Sequence, residues 1–88
     1  MERPQDITGI WDSGPGTGDR YTFVLNDEWA ASPGYAACLG INANPEHPQH
    51  GISQFCGCLA GPHLGREITW DSLPSDLQEH VAGRLTQD

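Results

Sequence analysis

Residues 47–63, HPQHGISQFCGCLAGPH, hold most of the side chains in this chain that could support a chemical site. The stretch contains three of the four histidines, His47, His50 and His63, and two of the three cysteines, Cys56 and Cys58. Cysteine thiolates and histidine nitrogens are the usual ligands of tetrahedral zinc. The stretch therefore raises the hypothesis of a small domain stabilised by zinc.

The spacing of the two cysteines gives this hypothesis only partial support. Cys56 and Cys58 are two positions apart, so on a strand their side chains would share one face, with Cα atoms about 6.5–7 Å apart. Structural zinc sites, however, favour two to four residues between paired cysteines, and here only Gly57 intervenes. The stretch is therefore interpreted mainly as a feature of the fold. No cofactor is expected, and zinc is the alternative.

A thiol-dependent enzyme is a further alternative, with Cys56 or Cys58 as nucleophile and His63 as base. A disulfide across one intervening residue would close a small, strained ring. The common redox pair has two intervening residues and opens a helix, where the dipole lowers the thiol pKa. Cys56 and Cys58 lie in a predicted strand of an acidic protein, so an enzyme is not the preferred interpretation and no catalytic residue is assigned.

The charge balance excludes two classes of partner. The chain has 88 residues and a formal net charge of −8, with four arginines and no lysine. Direct binding to nucleic acid needs positive charge that neutralises phosphates, and an anionic membrane surface would repel the same acidic field. Neither nucleic acid nor membrane is therefore an expected partner.

The N-terminal sequence and the lack of long apolar segments predict a cytoplasmic protein. No segment approaches the roughly 18 apolar residues of a spanning helix, and MERPQDITGIWD has no apolar core of the secretory kind. An odd number of cysteines argues against a complete disulfide framework. In a reducing compartment the three cysteines are expected to be free thiols.

The hydrophobic pattern predicts an α+β fold, with a small antiparallel sheet of three or four strands and one C-terminal helix packed on a face. The whole chain, 1–88, forms one domain, with residues 1–6 flexible. The clearest strand is RYTFVLN, because Tyr21, Phe23 and Leu25 fall on one face. The other predicted strands are 34–42, 52–59 and 66–70, and Ile7 to Trp11 forms a short strand or a turn.

The predicted helix spans about 73–86 and begins at a cap provided by Asp71 or Ser72. Its apolar stripe recurs every four residues and consists of Leu73, Leu77, Val81 and Leu85. On the second strand, small Ala36, Cys38 and Gly40 share one face, which indicates that something packs closely there. We expect the helix to cover that face, with Cys38 filling space beneath it.

The preferred interpretation is a small binding module that acts through a protein partner. Its support is the absence of catalytic motifs, an unsuitable charge for nucleic acid, and three tryptophans in a chain with a thin core. Tryptophan is enriched at interaction hot spots. The candidate partner-binding residues are Trp11, Trp29 and Trp70, each of which could equally belong to the core.

Overall fold

The computed structural model describes residues 1–16, 18–46, 48 and 50–86. The strands are β1 Ile7–Asp12, β2 Tyr21–Glu28, β3 Ala36–Ile41, β4 Ser53–Cys58 and β5 Arg66–Ile68. One α-helix, α1, spans Ser75–Leu85, and short 3-10 turns lie at Pro62–Leu64 and Trp70–Ser72. The predicted α+β architecture with a C-terminal helix is confirmed.

The five strands form one antiparallel sheet in the order β4-β3-β2-β1-β5. The prediction of three or four strands is therefore too small by at least one. The additional strand is β1, which pairs with β2 on one side and with β5 on the other. The sequence of β1 is short and contains glycine, so its strand pattern is weak. Backbone pairing with a strand on each side stabilises it as a strand.

The core lies between one face of this sheet and α1. Alternate residues of β2, Tyr21, Phe23 and Leu25, are buried on this face, as the alternating pattern predicts. They pack with Leu39 and Ile41 of β3 and with the apolar stripe of α1. We call this the helix-side face and its opposite the far face.

The apolar stripe of the helix is confirmed, but the predicted cap is wrong. Leu77 and Val81 are buried, and α1 begins at Ser75 after Pro74, which makes no side-chain cap hydrogen bond. Asp71 and Ser72 lie earlier, in the 3-10 turn that starts at Trp70. The Ser72 hydroxyl donates to the carbonyl of Thr69 instead of capping α1.

The prediction that the helix covers the small residues of β3 is also wrong. Leu39 and Ile41 contact the core, so strand alternation places Cys38 and Gly40 on the far face. The close approach at Gly40 comes from Asp19, whose carboxylate oxygen lies 2.6 Å from where a Cβ would stand. The carboxylate of Asp19 and the disulfide that joins Cys38 to Cys58 therefore lie on this face, where the sequence predicted the helix.

None of the helices in the described residues has the length and apolar character needed to cross a membrane.

Candidate functional site

All three cysteines meet on the far face of the β3–β4 pair. Cys38 lies directly opposite Cys56 in the strand register, and Ala36 lies opposite Cys58. Directly opposed residues of an antiparallel pair share a face, so the three sulfurs lie on one side of the sheet. Cys38 forms a disulfide with Cys58, its diagonal neighbour, across a Cα–Cα distance of 6.3 Å. The expectation of three free thiols is therefore wrong for two of them.

The predicted zinc ligands that the structure describes do not come together. Cys58 is in the disulfide, His63 lies in a 3-10 turn with its ring beside Gly61, and His50 lies in a separate turn. His47 is outside the described residues. Among the residues that are described, no group of three or more metal-binding side chains is present. The strand pairing that joins Cys58 to Cys38 takes away one of the two thiolates on which the zinc hypothesis depends.

Burial and a nearby carboxylate disfavour the thiolate form of Cys56. Burial raises the pKa of the half-buried Cys56 thiol, and the negative charge of Asp19 raises it further. The reactive form of cysteine is the thiolate. In the described part of the chain, no hydrogen bond joins Cys56 to a histidine. This environment gives no support to a thiol-dependent enzyme.

The three tryptophans occupy different environments. Trp70 is buried, packs edge-to-face on Phe23, and donates its indole N–H to the carbonyl of Met1 at 2.8 Å. Trp11 and Trp29 are half-buried, and their rings lie over Gly9 and Gly57 respectively, where any Cβ would collide with them. Trp70 therefore offers almost no surface to a partner, whereas Trp11 and Trp29 keep part of their rings accessible.

Sequence reasoning missed a contact between serine and histidine. The Nε2 atom of His80 on α1 lies 3.1 Å from the hydroxyl of Ser53 on β4. His80 also lines a cleft of about 390 Å³ together with His50 and Arg20. A catalytic serine needs a histidine held by a third group, and no described hydrogen bond orients the other ring nitrogen of His80. We therefore interpret the contact between Ser53 and His80 as a structural link between α1 and the edge of the sheet.

The most distinctive surface is the β4 edge, which we define as the outer side of Ser53–Cys58. β4 has a neighbouring strand on one side only, namely β3. Just beyond the paired strands, the amide of Asn42 donates to the carbonyl of Ile52, so the carbonyl of Ile52 points toward the β3 side. Backbone groups alternate in direction from one residue of a strand to the next, and this bond therefore fixes which residues of β4 point outward. By that alternation, the N–H and C=O groups of Ser53, Phe55 and Gly57 point away from β3.

β4 carries no charged side chain, and apolar side chains within it and beside it are exposed. Ile52, Phe55 and Leu59 remain 51%, 41% and 49% exposed. The guanidinium of Arg84 lies over the Phe55 ring at 5.0 Å from its centroid. Residues 47–65 contain no aspartate, glutamate, lysine or arginine, although the chain as a whole carries −8. The strand pattern of 52–59 predicts β4, but only the sheet order shows that it lies at an edge.

Comparisons of the chain with protein-family models, with curated proteins and with solved structures found no match.

Proposed function

We propose that the protein is a small interaction module that binds an extended segment of a protein partner along the β4 edge. The observation that carries this proposal is the row of outward backbone groups on Ser53, Phe55 and Gly57, beside exposed Phe55. An added strand would satisfy these groups and cover the apolar ring. Such strand addition is a common mode of peptide recognition.

Three common protections against edge pairing are missing from β4. Edge strands commonly carry lysine, proline or a bulge, which prevent another strand from joining. Ser53–Cys58 contains none of these residues and pairs with β3 in continuous register, whereas the β1–β2 and β2–β3 pairs both contain register shifts. An unprotected edge in the middle of an uncharged stretch supports a binding role.

The two faces of β4 set the chemistry of the partner. A partner strand would meet Phe55 on the helix-side face and Gln54 and Cys56 on the far face. The carboxylate of Asp19 lies beside Gly40, which pairs with Gln54, and its negative charge therefore acts on that face. We infer that the partner segment is apolar opposite Phe55 and carries no acidic residue near Cys56.

Selection of extended peptides from a random display library tests the proposal. Bound peptides should slow hydrogen exchange at the amides of Ser53, Phe55 and Gly57, measured by NMR. Ser53→Pro removes one outward N–H at the first strand position, where proline is tolerated, and should weaken binding. Ser53→Ala is the matched control, since it also loses the hydroxyl that contacts His80 but keeps the amide. Equal binding by the two variants would contradict strand addition.

The cytoplasmic location remains a prediction. The Cys38–Cys58 disulfide is an oxidised form, and a reducing cytoplasm usually keeps thiols reduced. Mass measurement of protein alkylated directly in intact cells would decide between two free thiols and one bridge at these positions.

A further inference from the structure

We infer that the partner strand at the β4 edge is β4 of a second copy of this chain, paired antiparallel about a two-fold axis at Phe55. This inference rests on the proposed function and names the occupant of the same edge. It depends on three properties of β4, namely the positions of its outward backbone groups, the sizes of its side chains and its lack of charge.

One symmetric register pairs all of the outward backbone groups of both copies. With the axis at Phe55, the N–H and C=O groups of Phe55 pair with those of Phe55 of the partner subunit. Ser53 then pairs with Gly57 of the partner subunit, so all three outward residues of both copies are satisfied. An axis at Ser53 or at Gly57 would move the pairing beyond one end of the strand and leave outward groups unmatched.

The side chains fit this register. On the helix-side face, the two Phe55 rings would lie side by side at the axis, each beside the Arg84 guanidinium of its own chain. Ser53 and Gly57 are small, so they leave room on both sides of the rings. On the far face, Gln54 would stand opposite Cys56 of the partner subunit, and no two like charges are opposed.

The charge distribution favours self-association at this edge over other surfaces. Two copies that each carry −8 repel one another, and contact is least unfavourable where acidic residues are absent. The stretch 47–65 carries no charged side chain and contains the whole of β4, and Asp19 is an acidic residue that lies beside its far face, next to Gly40. Salt screens the remaining repulsion between the copies. Self-association should therefore strengthen as salt is added, whereas binding of a basic peptide to the same acidic protein should weaken.

Site-directed crosslinking tests the register. In a non-hydrogen-bonded antiparallel pair, opposed Cβ atoms lie about 4.5–5.5 Å apart, which is close enough for a disulfide after small adjustments. Gln54→Cys should therefore give, with a mild thiol oxidant, a covalent dimer that links position 54 to Cys56 of the partner subunit. Ser53→Cys is the matched control, because position 53 would face Gly57 of the partner subunit and should give no such link. Peptide mapping by mass spectrometry identifies the linked positions.

Sedimentation velocity tests the association itself. The wild-type protein should shift from monomer to dimer as concentration and salt rise, and Ser53→Pro should weaken this shift roughly tenfold or more, because each dimer loses two hydrogen bonds. Phe55→Lys should abolish it, because the apolar contact between the two rings is lost and two more positive charges join the Arg84 guanidiniums beside the axis. Circular dichroism checks that this variant stays folded.

The possible results separate this inference from the proposed function. A dimer linked through Cys56 of both copies would overturn the register. A protein that stays monomeric at millimolar concentration and high salt would show that a second copy does not bind this edge. If selected peptides still protected the Phe55 amide, the proposed strand addition would remain supported. Slow exchange of that amide in the free monomer would overturn both.

Discussion

Removing the Cys38–Cys58 disulfide should destabilise the fold by an amount that can be worked out from its place in the chain. The bridge joins residues separated by 20 positions. In the chain-entropy description, closing a loop of this length removes conformational freedom from the unfolded chain and contributes about 3 kcal/mol. A domain of 88 residues has a total stability of roughly 4–13 kcal/mol. The disulfide therefore supplies a large share of the free energy of unfolding.

The perturbation has to prevent a substitute bridge. Cys56 lies directly opposite Cys38, so a single Cys58→Ser variant could re-form a disulfide between Cys38 and Cys56. The informative comparison is the double variant Cys56→Ser, Cys58→Ser against Cys56→Ser alone. Both variants keep Cys38, which is fully buried, as a cysteine, so neither places a hydroxyl in its pocket.

Thermal unfolding followed by circular dichroism measures the effect. A loss of about 3 kcal/mol corresponds to a decrease in melting temperature of roughly 12–24 °C for a domain of this size. The single variant Cys58→Ser should lose less than the double variant if Cys56 takes the place of Cys58. A double variant that melts within a few degrees of Cys56→Ser would refute the loop-closure reasoning and would mean that strand pairing alone holds β4 in place.

Two further predictions concern the core and the free thiol. Leu77→Ala should lower the free energy of unfolding, measured in urea, by about 2–4 kcal/mol, because Leu77 is buried between α1 and the sheet. The control Glu79→Ala, on the exposed side of α1, should change it by less than about 0.5 kcal/mol. Equal effects of the two substitutions would contradict the packing of α1. Alkylation of Cys56 by iodoacetamide should show a pH inflection above the ordinary cysteine pKa, and Asp19→Asn should move that inflection to lower pH, since Asp19 raises the pKa of Cys56 in addition to burial. Because the folded protein holds this proton more tightly than the unfolded chain, the contribution of Cys56 to stability is complete below the ordinary cysteine pKa and declines as the pH rises through the raised value. An unchanged inflection in Asp19→Asn would leave burial as the sole cause.

The sequence by itself determined the elements whose local patterns are strong. Alternation in β2 identified the buried face of Tyr21, Phe23 and Leu25. The spacing of Leu77, Val81 and Leu85 identified the helix and its buried side, and Leu73 is buried just before the helix begins. Both patterns repeat over neighbouring residues, so they can be read without knowing what lies opposite. The same reasoning placed Cys56 and Cys58 on one strand face, and the charge of −8 was available from composition alone.

Only the tertiary structure decided which surfaces these elements share. The register between β3 and β4 joins Cys38 to Cys58 and leaves Cys56 free, and a slip of one residue would have moved the side chains of β4 to the opposite face. The sheet order puts β4 at an edge and brings β1 between β2 and β5. Asp19 and Gly40 are 21 positions apart, and Ser53 and His80 are 27 apart, so no local periodicity connects them. Such contacts follow from how strands pair over long distances, and this pairing depends on the whole set of packed residues rather than on the pattern of any one segment.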